Sequence, residues 1–469
     1  MASNKIYYSV FGIPFIKLKK LKQDKIDIYI FGLPVFTYRV KKNKRKINLF
    51  VIQKPIEYFK QKIRKAKRKK SKNKILRRWQ NGEKIKIALM AERPGMWSFD
   101  YLYELFKSNP QFDVNVVIMP EPFYGKAHMK NYMRETTKEM EAKGYNPIKG
   151  YDEESDKIIN FKKEVNPDII FYADFYKPHF VKQFYITKFL DKITLLTEYG
   201  FSVMQDEKTC AFELNNLVDL YFRPTDIHLD MATKLMKNEG KNVIVTGSPK
   251  LDPLFDKNYT YKDIWKPQEK PKKRIIWAPH YTEIMPDDMY KNDGFWFLHE
   301  FMFEVAEKFK DEVQFVFRPH PVLYTKVVAK WGQEEAENYY ERWNKLENGQ
   351  YYNGNFIDLF KYSDAMIMDS CSFMAEYTAF NKPLFHTITK TSRTKLNDFG
   401  EELYKNFYKT EDNLKEDIIK FIQDVVIGGN DYKAADRTKF VQQYFTKINN
   451  RTASENIYNE IIKFLERKI

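Results

Sequence analysis

Two short segments of the chain combine residue types that bind phosphate groups. Residues 318–321 (Arg-Pro-His-Pro) directly follow the mostly apolar run 313–317, and residues 369–372 (Asp-Ser-Cys-Ser) directly follow the apolar run 365–368. The guanidinium of Arg318 can make planar, bidentate contacts with phosphate, and the imidazole of His320 adds a hydrogen-bond donor or a proton carrier. Because ligands of open α/β sheets bind at the carboxyl ends of strands, both segments indicate a site for a phosphate-bearing ligand.

The second segment has the composition of a helix start that binds an anion. Asp369 and Ser370 precede a helix predicted from Ser372, where backbone N–H groups and hydroxyls are free to bind an oxyanion. Glu376 lies four residues after Ser372 on the same helical face, and its carboxylate can hold a ribose or polyol hydroxyl. Taken alone, these residues favour an ordinary N-cap, which Ser and Asp provide in many helices.

His280 is a further candidate, because it follows an apolar run that reads as the first strand of the same half of the chain. It can contact a donor phosphate or serve as an acid. A turn histidine with satisfied hydrogen bonds is the equally good alternative.

The elements that must position these residues form two α/β halves. From residue 84 onward, short apolar runs alternate with helical stretches, including one predicted over 295–309, which is typical of mostly parallel sheets. The polar, Pro-containing stretch 256–273 separates the halves, and only helical patterns follow residue 411. We therefore predict a basic N-terminal extension, a first Rossmann-like (acceptor) domain, a linker, a second Rossmann-like (donor-nucleotide) domain and C-terminal helices, at residues 1–83, 84–255, 256–273, 274–411 and 412–469.

Positive charge is concentrated at the N-terminus. Residues 1–80 contain 25 Lys or Arg against three acidic residues, a net +22, and since the whole chain carries +17 the remainder carries −5. This distribution argues against nucleic-acid binding by the body of the chain and indicates that the basic end is an attachment segment.

The N-terminal segment contains a short repeat followed by a basic helix. Residues 11–14 (Phe-Gly-Ile-Pro) are echoed by residues 31–34 (Phe-Gly-Leu-Pro), which predicts short strands with turns. Residues 55–79 predict a helix with many Lys and Arg, a thin apolar stripe and Trp79. Such a helix suits an anionic membrane surface, and a solvated charged helix is equally consistent with the pattern.

The cysteine content and the hydropathy of the chain exclude several classes of protein. With only Cys210 and Cys371, a disulfide framework is excluded and a reducing compartment fits. The spacing of histidines and cysteines indicates no metal site, and we predict neither a metal nor a cofactor. No apolar run has the length of a membrane span and the start does not read as a secretory signal. The expected location is cytoplasmic, peripheral on the inner face of the cell membrane.

Together, the two phosphate-binding segments resemble the CDP-glycerol glycerophosphotransferase family, which includes the polyol-phosphate polymerases of teichoic-acid and capsule assembly. The resemblance extends over about residues 190–390 and rests on residues 246–254 (Thr-Gly-Ser-Pro-Lys-Leu-Asp-Pro-Leu), 276–280, 317–321 and 369–377. It implies an α/β fold of the GT-B type, two Rossmann-like domains facing a cleft, and a CDP-linked donor. By position, it implies that the donor's diphosphate and nucleoside are bound by Arg318, His320, Ser370, Ser372 and Glu376.

The first domain departs from the pattern of that family. Its polymerases usually carry a His-Gly pair after a strand, with the histidine as candidate general base, whereas residues 195–200 here read Leu-Leu-Thr-Glu-Tyr-Gly. Glu198 can take the base role if burial raises its pKa. The alternative is a different acceptor or a different reaction.

We therefore predict a transferase that moves a polyol phosphate of the glycerol-phosphate type from a CDP-linked donor. The predicted acceptor is a lipid-linked glycan or polyol phosphate at the membrane, and the product is a cell-surface polymer. Glu198, His320 and His280 are the predicted catalytic residues, with Arg318, Ser370, Ser372, Glu376 and Asp369 binding the donor. The alternatives are a GT-B glycosyltransferase of capsule or lipopolysaccharide synthesis that uses a nucleotide sugar, a nucleic-acid-binding protein, and a non-catalytic membrane-associated assembly factor.

Overall fold

The chain divides into two compact units, Met1–Ile75 and Leu76–Ile469. The computed structural model describes residues 5–10, 13–22, 25–30, 33–41, 44–48, 53–93, 95–204, 210–281, 294–371, 373–387, 395–410 and 413–468, with side chains from residue 62 onward. Ser372, one of the predicted donor-binding residues, therefore lies outside the described residues.

The first unit contains an antiparallel sheet in which neighbours in sequence are neighbours in space. Its strands are β1 (Lys5–Val10), β2 (Ile13–Lys22), β3 (Lys25–Ile30), β4 (Leu33–Lys41) and β5 (Lys44–Asn48). Lys5 pairs with Lys19 in the first hairpin, and Lys25 pairs with Arg39 at the equivalent place in the second. The repeat therefore corresponds to two successive pairs of antiparallel strands, which confirms the predicted strands; the turns predicted at residues 11–12 and 31–32 lie outside the described residues. Helix α1 (Gln53–Gln80) follows the sheet.

The second unit contains two parallel sheets with helices between their strands. The first sheet, within the described residues, has the order β14-β13-β12-β11-β6-β7-β8. Its strands are β6 (Ile85–Ala91), β7 (Phe112–Ile118), β8 (Ile148–Lys149), β11 (Ile169–Tyr172), β12 (Ile193–Thr197), β13 (Leu220–Arg223) and β14 (Val243–Val245). A separate small hairpin pairs β9 (Tyr151–Asp152) with β10 (Lys157–Ile158).

The second sheet repeats the same arrangement with the order β17-β16-β15-β18-β19-β20 among the described strands. Its strands are β15 (Lys273–Ala278), β16 (Val313–Phe317), β17 (Gly349–Tyr351), β18 (Ala365–Met368), β19 (Leu384–His386) and β20 (Tyr408–Lys409). In both sheets the chain starts at an inner strand, builds outward, and then returns to the other side of that strand. The strand order therefore reverses between β6 and β11 and again between β15 and β18, the places where open α/β sheets bind ligands.

Helices cover both sheets and form the C-terminal part of the second unit. They are α2 (Asp100–Ser108), α3 (Lys126–Ala142), α4 (Phe161–Glu164), α5 (Glu213–Leu217), α6 (Asp226–Leu235), α7 (Asp252–Phe255), α8 (Gly294–Leu298), α9 (Phe301–Lys308), α10 (Pro321–Trp331), α11 (Gln333–Lys345), α12 (Phe356–Lys361), α13 (Met374–Thr378), α14 (Asp398–Tyr404), α15 (Leu414–Lys420), α16 (Ala434–Tyr444) and α17 (Ala453–Glu466). A π-helical stretch, Phe421–Ile427, continues α15. None of the helices in the described part of the chain is both long and apolar enough to cross a membrane.

Two helix predictions differ from the structure in their boundaries. The helix predicted over 295–309 is divided into α8 and α9, because the chain turns at residues 299–300. The helix predicted from Ser372 begins only at Met374, since Phe373 adopts a left-handed backbone (φ 65°) that interrupts the helical path.

The C-terminal helix α17 is anchored by a buried carboxylate near the end of the first α/β half. Asp252 is fully buried, and its two oxygens accept hydrogen bonds from the backbone N–H groups of Ala453 and Ser454, each at 2.9 Å. These are donors of the first helical turn, which lack partners within the helix itself. Asp252 is therefore hydrogen-bonded to two residues that lie 201 and 202 positions later in the sequence.

Burial raises the pKa of Asp252 to about 6, against a usual carboxyl value of 3.8. Between these two values the folded chain binds a proton that the unfolded chain has lost, so the stability contributed by this residue falls as pH rises from about 4 to 6. A shift of two units corresponds to roughly 3 kcal/mol. We expect the melting temperature of Asp252→Asn, measured relative to the unsubstituted protein, to increase from pH 4 to pH 7. A difference that does not change with pH would contradict the assignment.

Candidate active site

The carboxyl ends of three adjacent strands of the second sheet are fastened together by hydrogen bonds. Beyond β16, the N–H groups of Arg318 and His320 donate to the carbonyl oxygens of Trp277 and Pro279 at 2.8 and 2.9 Å. Beyond β18, Asp369 Oδ1 accepts from the N–H of His280 at 2.7 Å. The three predicted segments therefore meet at the strand-order reversal of this sheet. Asp369 fixes the position of the turn that carries His280 by its hydrogen bond to the N–H of that residue.

Arg318 is a buried cation without a carboxylate partner in the described residues. It is 7% exposed, its Nη2 donates to the carbonyl of Gly354 at 3.3 Å, and its Nε has no hydrogen-bond partner there. The guanidinium lies over the ring of Phe373, 5.6 Å from its centre. Burial lowers the pKa of Arg318 to about 10, so the group is still charged at neutral pH. An unpaired buried guanidinium is costly unless an anion binds to it.

His320 is a neutral imidazole that presents a proton to the site. It caps α10, because its Nδ1 accepts from the N–H of Val322 at 3.2 Å. Burial, with the nearby His280, Arg93 and Arg318, lowers the pKa of His320 well below its usual value. With Nδ1 used as an acceptor, the proton is on Nε2, which can donate to a phosphate oxygen.

His280 lies beside His320 and is also neutral. The two rings are 4.9 Å apart between centres, and Tyr281 contacts both. Burial lowers the pKa of His280 to about 3. A neutral pair can offer hydrogen bonds to a ligand, but neither ring carries a positive charge at neutral pH.

A second cation, Lys250, joins the site from the 3₁₀ turn Pro249–Leu251 near the end of the first α/β half. Its Nζ lies over the rings of Tyr199 and Phe356, at 5.6 and 5.3 Å from their centres. The ring of Phe356 is 5.6 Å from that of Phe373, over which Arg318 lies, so the two cations occupy neighbouring places. Burial lowers the pKa of Lys250, the charge of Glu376 raises it, and the charge of Arg318 lowers it further. Within the described residues, no carboxylate is near enough for an ion pair with Lys250.

Glu376 lies where the two α/β halves meet. It is 5% exposed on α13, and a Cβ added to Gly200 would come within 3.1 Å of its Oε1. Gly200 belongs to the loop after β12 of the first sheet, so a side chain at position 200 would press against the Glu376 carboxylate. Glu376 on the second half and the loop that follows Glu198 on the first half are therefore in close contact.

Two further residues of the second segment have structural surroundings. Ser370 is 3% exposed directly after β18. Cys371 Sγ lies 3.3 Å from the sulfur of Met204, and burial raises the pKa of this thiol to about 12, so it is not a nucleophile at neutral pH. Gly294 packs against Asp369, since an added Cβ would lie 2.8 Å from Oδ2.

The first sheet carries its own group of charged residues at the carboxyl ends of its strands. Arg93 follows β6, Glu121 follows β7 and Asp174 follows β11, and Arg93 lies 3.9 Å from each carboxylate. Glu92, beside Arg93, is 2% exposed and its carboxyl oxygens have no hydrogen-bond partner in the described part of the chain. Burial and then the charge of Asp174 raise the pKa of Glu92 well above its usual value.

Glu198, the predicted base, is the partner of a buried arginine. Its Oε1 accepts from Arg223 Nη1 and from the hydroxyl of Tyr221, while Oε2 has no partner among the described residues. Glu198, Arg223 and Tyr221 are 5%, 2% and 0% exposed. This arrangement is that of a structural ion pair.

One group of side chains has the spacing of metal ligands. Glu92, Asp174 and His179 each place a potential ligand atom within 4.8 Å of the others. Arg93 already brings a positive charge to Asp174, and His179 Nδ1 is in direct contact with Asp174 Oδ2. These contacts favour a proton-sharing cluster over a metal centre.

The sequence analysis assigned no role to Asp174 or His179, and Lys250 entered only as part of a motif. Asp174 follows a buried strand closely, which is the signal that the donor segments also have. Lys250 is conspicuous only once the fold places it beside Arg318.

A protein-family model matches the second part of the chain. Residues 196–463, more than half of the chain, match the family model described as CDP-Glycerol:Poly(glycerophosphate) glycerophosphotransferase. No curated protein sequence matches.

Solved structures share the fold at low sequence identity. A structure of S. aureus MnaA with UDP is 15% identical with a TM-score of 0.53, covering 81% of this chain and 97% of its own. A variant of the wall teichoic acid polymerase TagF is 14% identical with a TM-score of 0.51, covering 88% and 97%. A UDP-N-acetylglucosamine 2-epimerase is 15% identical with a TM-score of 0.50, covering 82% and 98%. The predicted fold class, GT-B with two Rossmann-like halves, is thereby confirmed.

Proposed function

The chain belongs to the CDP-glycerol:poly(glycerophosphate) glycerophosphotransferase family and is a transferase, and we propose that it moves glycerol phosphate from CDP-glycerol to a membrane-linked acceptor. One observation carries the choice of donor. Arg318 and Lys250 converge as two cations without carboxylate partners in the described residues, beside the neutral donor His320. A diphosphate supplies the two negative charges that such a pair of cations lacks.

The donor half of the site stabilises the leaving nucleotide. Arg318 binds one phosphate in planar geometry, and Lys250 provides a point charge to the other. Nε2–H of His320 donates to an oxygen that gains charge as the bond to the transferred phosphorus breaks. Glu376, whose charge acts on Lys250, accepts from a hydroxyl of the ribose or of the glycerol, as its place at the meeting of the two halves suggests.

The acceptor is a polyol-phosphate chain or a lipid-linked glycan, as in the synthesis of teichoic acid. The net charge of +22 in residues 1–80 supports attachment to the anionic cytoplasmic face of the cell membrane. Attachment of this kind predicts co-flotation with phosphatidylglycerol vesicles and not with phosphatidylcholine vesicles, and equal flotation with both would contradict it.

Donor selection is tested by thermal shift with a panel of nucleotides. We expect CDP-glycerol to raise the melting temperature more than UDP-N-acetylglucosamine does, because at equal concentration the ligand with the lower Kd stabilises the folded state more. At a concentration 100 times the Kd the stabilisation is about 2.7 kcal/mol. CDP-ribitol and CMP serve as controls for the polyol and for the nucleotide alone. Larger stabilisation by the UDP-sugar would replace the proposal with a nucleotide-sugar glycosyltransferase.

A further inference from the structure

The first sheet holds a histidine–aspartate pair that the donor half of the site does not use. Asp174 is fully buried directly after β11, and His179 lies in a 3₁₀ turn, Lys177–His179, that folds back over it. Nδ1 of His179 is in hydrogen-bond contact with Oδ2 of Asp174. The pair lies at the place where the strand order of the first sheet reverses, between β6 and β11.

The carboxylate of Asp174 is fixed in position and kept ionised. Its Oδ1 accepts from the N–H groups of Phe175 and Tyr176 at 2.5 and 2.9 Å, and Arg93 Nη2 lies 3.9 Å from Oδ2. Burial raises the pKa of Asp174, but the hydrogen bond and charge of His179, with the other contacts, lower it overall. An ionised Oδ2 accepts a hydrogen bond from Nδ1–H, so in a neutral imidazole the lone pair is on Nε2.

Nε2 of His179 is available to a ligand. The side chain is 12% exposed, and no partner for Nε2 is present in the part of the chain that the structure describes. The rings of Phe123 and Tyr176 contact the imidazole at 5.3 Å on two sides, and Phe123 is 53% exposed. The imidazole is thus held between two rings with one nitrogen directed away from its aspartate.

The topology of the first sheet brings this pair near the donor half of the site. Asp174 follows β11, and β11 pairs in parallel with β12, so the segments that follow the two strands lie at the same edge of the sheet. In the loop after β12, a Cβ added to Gly200 would lie 3.1 Å from Oε1 of Glu376, and the ring of Tyr199 lies 5.6 Å from Nζ of Lys250. The histidine–aspartate pair and the contacts to the donor site therefore lie at neighbouring strand ends.

We propose that His179 is the base for the acceptor hydroxyl and that Asp174 is the residue that positions it. This inference rests on the proposed function. Nε2 takes the hydroxyl proton as the acceptor oxygen forms a bond to the phosphorus of the glycerol phosphate. The bond from that phosphorus to the bridging oxygen breaks, and CMP leaves with the oxygen and the electron pair. The proton on His179 then passes to solvent, so each transfer yields one phosphodiester, one CMP and one proton.

Glu198 is less suited to this role because of its partners. Its Oε1 is already bound by Arg223 and Tyr221, and Glu198 and both of these partners are buried. His179 has no cationic partner at its Nε2 in the described residues.

The test measures CMP release from CDP-glycerol, with glycerol phosphate as a soluble acceptor that carries the hydroxyl of a polyol-phosphate chain end. We expect His179→Ala to lower CMP release by roughly 10²–10⁴-fold. The thermal shift caused by CDP-glycerol should persist, which also shows that the variant is folded. Added imidazole should restore part of the activity, because it can occupy the space of the missing ring. Asp174→Asn should lower kcat and leave the KM for CDP-glycerol unchanged.

His128→Ala is the matched control, since this histidine lies on α3 of the same half and contacts only Tyr124 and Tyr132 rings among the described residues. It should release CMP at the unsubstituted rate. Retention of CMP release by His179→Ala, or a loss that imidazole does not restore, would overturn the base assignment alone. Absence of both CMP release and CDP-glycerol stabilisation in the unsubstituted protein would overturn the proposed function.

Discussion

Replacing Arg318 with methionine is expected to lower CMP release from CDP-glycerol by roughly 10²–10³-fold. This is the effect of losing a group that stabilises charge in the transition state. The same substitution should leave the melting temperature of the free protein unchanged or raise it. Arg318 is 7% exposed and its Nε has no partner in the described residues, so in the free protein its charge is buried at a cost. Methionine removes that charge and retains most of the volume.

Opposite changes in activity and stability would distinguish a binding residue from a structural one. Arg342 offers a matched control, because its guanidinium makes two hydrogen bonds of 2.8 Å to Glu300 at an exposed position. Arg342→Met should release CMP at the unsubstituted rate and cost little stability, since exposed ion pairs contribute about 0–1 kcal/mol. Full CMP release by Arg318→Met, or a large loss of stability, would contradict the donor-site assignment.

The meeting of the strand-end segments in the second sheet could be predicted because its signal is local. A buried strand followed at once by Arg-Pro-His-Pro or Asp-Ser-Cys-Ser is visible in a few consecutive residues, and a parallel sheet places such ends side by side. The hydrogen bond from the N–H of His280 to Asp369 joins residues 89 positions apart, as that argument requires. The start of α13 could not be predicted, since Phe373 takes a left-handed backbone that nothing in its residue type favours.

The cluster of Arg93, Asp174 and His179 was missed because its signal is distributed. Arg93 follows β6, whereas Asp174 and His179 both follow β11, and each alone resembles an ordinary surface charge or a turn histidine. They come together because β6 and β11 are neighbours in the sheet although four other strands lie between them in the chain. That order follows from how the chain winds outward and returns, which single-sequence patterns do not specify. Asp174 alone carries a local signal, a polar residue shortly after a buried strand.

Replacing Glu198 with glutamine is expected to cost stability rather than chemistry. Arg223 is 2% exposed and pairs with Glu198, so a neutral side chain at position 198 leaves a buried guanidinium without its counter-ion. Breaking a buried pair in this way costs about 3–5 kcal/mol of unfolding free energy. The molecules that remain folded are recognised by the rise in melting temperature that CDP-glycerol causes. Each of them should release CMP at nearly the rate of the unsubstituted protein.

A double variant separates the structural role of Glu198 from a catalytic one. Glu198→Gln with Arg223→Met removes both charges and keeps a carbonyl oxygen that can accept from Tyr221, as Glu198 does now. Because a buried ion pair can be replaced by neutral residues at little cost, this double variant should recover most of the stability that the single variant loses. If Glu198 only neutralises Arg223, the double variant is stable and active. A double variant that is stable, binds CDP-glycerol and releases no CMP would make Glu198 the base and would exclude His179 from that role.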